Sequence, residues 1–146
     1  MFIRDRSLKK LEMTYNKIYS YYSQKNNKEK TLMCYWYGGE PTKMGQQYFI
    51  SAFELINSIF KKEDGYNVKH TVLTSLLTID SSWFEIFKKY GDNHFQTSFD
   101  GLVRGINYVK KWERKVREAQ DYGLEISTIS VFNHELIKES PIKIIN

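Results

Sequence analysis

Apolar residues recur along this chain with two alternating periods. In "SLKKLEMTYNKIYSYYSQ", Leu8, Leu11, Tyr15, Ile18 and Tyr22 fall three or four positions apart, which predicts a helix with one apolar face. After the polar break "NNKEK", the compact aromatic run "TLMCYWY" (31–37) predicts a strand. "GQQYFISAFELINSIFKK" (45–62) carries Phe49, Ala52, Phe53, Ile56 and Phe60 on one helical stripe, and "KEDGY" is a turn. "NVKHTVLTS" (67–75) predicts a second strand. A short helix follows, capped by Asp80 or Ser81 and stopped at Gly91. "HFQTSFD" (94–100) predicts a third strand. The next helix has Ile106, Val109, Trp112, Val116 and Ala119 on its stripe and ends at Gly123. "LEISTISVF" (124–132) predicts a fourth strand, and the tail leaves room for one helical turn before Pro141.

Helix and strand therefore alternate four times. That order predicts an α/β fold, with about four parallel strands joined by crossover helices. No tandem repeat, low-complexity tract or internal boundary is visible, so residues 1–146 are expected to form a single domain.

The polar residues that follow each strand then gather at one place. They are Gly38-Gly39-Glu40-Pro41, Thr74-Ser75, Ser98-Phe99-Asp100-Gly101 and Asn133-His134. In a parallel sheet these fall at the carboxyl ends of the strands, where α/β folds build ligand sites. The first group stands out. The chain has 2 prolines and 8 glycines, and three of these ten residues lie within 38–41. Two glycines permit a backbone path other residues resist, and Pro41 drives Glu40 towards an extended conformation. A carboxylate beside bare carbonyls suits a cation such as an ammonium, whereas phosphate calls for N–H donors. The competing interpretation is an ordinary strand-to-helix turn with a solvated glutamate.

Composition narrows the function classes. With 22 basic and 17 acidic residues the net charge is +5, but the lysines are spread and interleaved with acids, as in "KKWERKVREAQD". No basic stripe with interleaved aromatics suggests nucleic acid, and no run approaches the roughly 18 apolar residues of a membrane span. The N-terminal "MFIRDRSLKK" is charged and no apolar signal region follows it, so a cytoplasmic location is the expectation. His70, His94 and His134 lack metal-ligand spacing, and no Ser–His–acid motif is present. Cys34 is the single cysteine, lies within a strand, and is expected to be buried.

"YGGEP" after a strand, then "TSLLTID", then "TSFDG" resemble the central part of a radical S-adenosylmethionine enzyme. The likeness is to the branch that modifies peptides and proteins, including sulfatase-maturing and SPASM-type enzymes, and covers about residues 31–133. It implies an incomplete parallel (β/α) barrel with S-adenosylmethionine as cofactor and a peptide or protein as substrate. It also implies that Gly38, Gly39 and Glu40, with Pro41, hold the methionyl ammonium. Thr74-Ser75 stands where the family often has Thr-Asn. Ser98 would lie near the ribose or carboxylate, within a Ser-x-Asp-Gly that includes Asp100; Arg104 would pair with the methionyl carboxylate, and Asn133 would lie on the adenine side.

One departure is large. The family carries Cys-x-x-x-Cys-x-x-Cys for a [4Fe–4S] cluster, and those ligands are absent from these residues. The first strand with its cluster loop, and the last strand, are therefore expected to be missing. On that expectation the chain by itself is not catalytically competent, and its open sheet edges invite association. A non-catalytic remnant, a partner-binding α/β domain and an unrelated ligand-binding domain are the alternatives.

Overall fold

The computed structural model describes residues 2–24 and 30–131, with side chains from residue 8 onward. Helix α1 (Phe2–Gln24) leads into strand β1 (Thr31–Trp36), helix α2 (Gln46–Ile59) and strand β2 (Asn67–Thr74). Helix α3 (Ser81–Tyr90), strand β3 (His94–Ser98), helix α4 (Ile106–Asp121) and strand β4 (Glu125–Ile129) complete the order. The strands form one parallel sheet in the order β1-β2-β3-β4. The alternation read from hydrophobic period is thus the observed architecture.

Alternating residues divide the sheet into two faces. Phe95, Val72 and Leu124 join Phe49 and Phe53 of α2, Trp83, Phe84 and Phe87 of α3, and Ala119 of α4 in the main core. A second cluster joins Cys34, Ile56, Phe60 and Tyr66 to Leu11, Tyr15, Ile18 and Tyr19 of α1. Cys34 is 4% exposed, and burial pushes its thiol pKa up despite an opposing hydrogen bond from Tyr15. A thiol in that setting is a packing residue, not a nucleophile. On the opposite face Met33, Tyr35, Tyr37 and Ile129 are exposed. Among the described residues no helix covers that face, and the outer edges of β1 and β4 have no strand partner.

Element ends differ from the sequence expectation in instructive ways. The stretches after β1 and β3 tighten into 3-10 turns, Pro41–Met44 and Gly101–Arg104, before their helices begin. Asp80 caps α3, its side chain accepting from the Ser82 N–H at 3.1 Å, as the expected cap residue should. Ile106 was expected on the buried stripe of α4 but is 54% exposed, because it sits in the first turn, beyond the sheet edge that Trp112, Val116 and Ala119 reach. The predicted helical turn before Pro141, together with Asn133 and His134, lies outside the described residues. No described helix is long and apolar enough to cross a membrane.

Candidate functional site

The parallel register aligns the strand ends. Trp36 pairs with Val72, and Gly38-Gly39 follow that end of β1 as Thr74-Ser75 close β2. β2 and β3 pair only at Leu73–Gln96 and Thr74–Thr97, both at the carboxyl end, one residue before Ser75 and Ser98. Ser98 in turn pairs with Ile129. Gly38, Gly39, Glu40, Ser75, Ser98 and Asp100 therefore share one rim.

Gly38 and Gly39 are exposed and adopt φ of 116° and 53°. A Cβ at either would meet nothing within 4 Å, so the glycines serve backbone conformation and not a close approach. Gly38→Ala is accordingly expected to lower stability by about 1–2 kcal/mol through backbone strain alone. Urea denaturation measures this, and an unchanged midpoint would mean that the loop adopts another path.

Those glycines deliver Glu40, which is extended at φ −119° and ψ 97°, as a residue before proline should be. Its Oε1 accepts from the Thr42 hydroxyl at 2.6 Å. Its Oε2 accepts from the Ser75 N–H at 2.8 Å and the Ser75 hydroxyl at 2.6 Å. The carboxylate thus bridges the loop after β1 to the end of β2. Burial pushes its pKa up, but hydrogen bonds from Ser75, Thr42 and Thr74 outweigh that and hold it below the ordinary carboxylate value. Both carboxylate oxygens are thus fixed by hydrogen-bond donors from the two loops. Negative charge stays on Glu40 with no basic side chain within ion-pair distance among the described residues.

The end of β2 is shaped by a residue that the sequence did not flag. Leu76 is fully buried at a left-handed φ of 66°, and its N–H donates to Thr74 Oγ1 at 3.1 Å. A left-handed leucine costs about 1–2 kcal/mol, which burial of its side chain offsets. The chain reverses directly after Ser75, leaving both Ser75 donors turned to Glu40.

At β3, Ser98 Oγ makes no hydrogen bond among the described residues, while the Ser98 carbonyl accepts from the Tyr108 hydroxyl at 3.3 Å. Arg104 is not a free cation. Its Nε lies 2.7 Å from Asp100 Oδ2. Pro41 and Thr74 are buried in the frame of the rim, and Asn133 lies outside the described residues.

Sequence reasoning missed Thr42, Leu76 and Tyr108. Only Tyr108 had a visible signal: the spacing acid-x-x-x-x-Gly-x-x-Tyr occurs at Glu40–Gly45–Tyr48 and again at Asp100–Gly105–Tyr108.

No family model and no curated protein matches the chain. Solved structures do match. The structure of native anSMEcpe with bound AdoMet and Kp18Cys peptide aligns with a TM-score of 0.61 and 19% identity, over 81% of this chain and 33% of that one. Native anSMEcpe with bound AdoMet gives the same score and identity, over 81% and 32%. The complex with AdoMet and Cp18Cys peptide matches equally, over 81% and 33%. The chain spans about a third of the length of these structures. It shares with them an α/β fold in which four parallel strands alternate with helices, a partial parallel (β/α) barrel.

Proposed function

We propose that this chain is the S-adenosylmethionine-cradling portion of a radical S-adenosylmethionine protein that modifies a peptide or protein. The observation that carries it is Glu40. Its carboxylate is kept ionised by Ser75 and Thr42 at the aligned strand ends, beside exposed Gly38 and Gly39. An ammonium donates to such a carboxylate and to neighbouring carbonyls through its three N–H groups. Support also comes from the fold shared with anSMEcpe, whose structures carry AdoMet and, in two cases, a peptide.

The residues fit the two groups of that chemistry unequally. For S-adenosylmethionine, Glu40 and the carbonyls of Gly38 and Gly39 would hold the ammonium, and Ser98, whose hydroxyl is unengaged among the described residues, would meet the ribose or carboxylate end. When bound, the cofactor supplies the radical chemistry by which the resembled family removes hydrogen from its substrate. For a [4Fe–4S] cluster the residues do not fit. The single thiol, Cys34, is buried against α1 and away from the rim. The residues of this chain would bind and orient the ligand.

Amide chemical-shift titration with S-adenosylmethionine tests this. The Gly38, Gly39 and Ser75 amides are expected to shift, and an analogue lacking the α-amino group is expected to bind at least about tenfold more weakly. Equal affinity for the two ligands, or no shift at the rim, would end the proposal.

A further inference from the structure

The helices pack on one face of the sheet, and among the described residues nothing covers the other. Parallel sheets are ordinarily covered on both faces. The large apolar side chains that the sheet leaves exposed belong to its two outer strands and the residues just after them. They are Met33, Tyr35 and Tyr37 at β1, and Ile129 and Val131 at β4; β2 and β3 have none. The edges are also unguarded. β1 contains no charged residue and no proline, and β4 contains only Glu125, at its first position. Edge strands that must stay unpaired carry charges, prolines or bulges.

The element count says what fits these edges. The chain is four helix–strand units, α1–β1 to α4–β4, on one parallel sheet. A closed (β/α)8 barrel has eight. Two copies related by a twofold axis along the strands supply all eight, with β4 of each copy beside β1 of the other. Helix α1 already packs outside β1 through Leu11, Tyr15 and Ile18. It then takes the place of the helix between β4 and the next strand.

Register agrees. Trp36 is level with Val72; Leu73, one residue on, is level with Gln96, and Gln96 with Ser127. Ser127 therefore stands one residue past the level of Trp36 in its own copy. Laying residues 31–35 of one copy along Glu125–Ile129 of the other sets Ser127 against Met33, four residues short of that level. Two such junctions make the offset eight, the shear of a (β/α)8 barrel. The offset is even, so the exposed side chains of Met33, Tyr35, Ser127 and Ile129 stay on one face.

We propose that this chain associates with a second copy of itself into a closed, twofold (β/α)8 barrel, joined where β1 of each copy meets β4 of the other. The proposal goes beyond the S-adenosylmethionine reading and does not rest on it. It does complete the rim. In this register Val131 of the second copy comes level with Tyr37, and gives the Gly38-Gly39-Glu40 loop a neighbour on its outer side.

Sedimentation equilibrium of the 146-residue chain is expected to give twice its mass of 17.4 kDa. Tyr35→Lys and Ile129→Glu each place a charge at both junctions, and each is expected to give a monomer. Both side chains are exposed in the single chain, so circular dichroism should not change. Mixing the two variants is expected to restore the dimer, because one junction then pairs the introduced cation with the introduced anion and the other is unaltered. A monomeric wild type would overturn the proposal, including one whose β4 edge is taken by residues 132–146 of the same chain. A dimer lost in only one of the variants would mean β1–β1 or β4–β4 pairing and would overturn it too. Species that grow beyond the dimer with concentration would show an open array in place of closure. Should a variant fail to fold, amide exchange in the wild type decides. The β1 and β4 amides are expected to lose protection on dilution, and protection independent of concentration would refute the junction.

Discussion

Glu40→Gln is expected to lower the affinity for S-adenosylmethionine about a hundredfold, ~2.7 kcal/mol, with the fold retained. The substitution keeps the shape of the side chain and removes its charge. It also turns an amide N–H₂ towards donors, because Glu40 accepts from Thr42 on one oxygen and twice from Ser75 on the other. The ammonium thus loses its counter-charge, and Ser75 loses an acceptor. Calorimetric titration reads the affinity, and circular dichroism checks the fold. A loss smaller than about threefold would remove Glu40 from the ammonium site.

The pH profile gives a second handle on the same residue. Glu40 is held below its ordinary value of 4.5. A carboxyl depressed in the folded state contributes stability that is present above its unfolded value and lost as pH falls through the folded one. Protonation of Glu40, and with it any loss of affinity through this residue, should therefore be shifted to lower pH than for an ordinary carboxylate.

Acid should weaken the fold through a different residue, by about 2–3 kcal/mol between pH 7.5 and 4.5. His70 is 3% exposed, on the helix-covered face of β2. Trp36 Nε1 donates to its Nδ1 at 3.3 Å, and its Nε2 lies 3.3 Å from Asn57 Oδ1. The indole N–H can only donate, so Nδ1 must be the acceptor and Nε2 carries the proton. Phe53 closes over the ring at 4.4 Å between centres. Burial lowers the pKa from 6.5 to about 4. A second proton would also set N–H against N–H at Trp36. The unfolded chain binds that proton below 6.5 and the folded one only near 4, so stability falls as pH drops through that window. Urea denaturation of wild type and His70→Gln measures the effect. The variant is expected to be less stable at pH 7.5 but to lose less on acidification. Equal losses in the two proteins would assign the acid sensitivity elsewhere.

Much of the architecture was legible because burial has a period. Phe49, Ala52, Phe53, Ile56 and Phe60, spaced at helical intervals, are all buried in the structure. The strand ends were legible because glycine, serine and acid punctuate each one. Thr42 and Leu76 were not. Nothing in the string shows that the hydroxyl two residues past Glu40 turns back to its carboxylate, or that a leucine takes a left-handed conformation usual for glycine. Both follow from contacts made only when β1 and β2 lie side by side. Ile106 failed for the opposite reason: its place on the stripe was right, but the sheet does not reach that turn.

By itself the sequence determined the alternation of helix and strand, the parallel sheet that alternation requires, and the gathering of Glu40, Ser75, Ser98 and Asp100 on one rim. Local periodicity and chain connectivity suffice for that. Only the tertiary structure decided which side chains pair across the rim: Glu40 with Ser75, Asp100 with Arg104, Arg104 with Tyr108. Those pairings depend on strand register and loop conformation. A shift of one residue along the ladder would turn each group to the other face, and no local pattern records it.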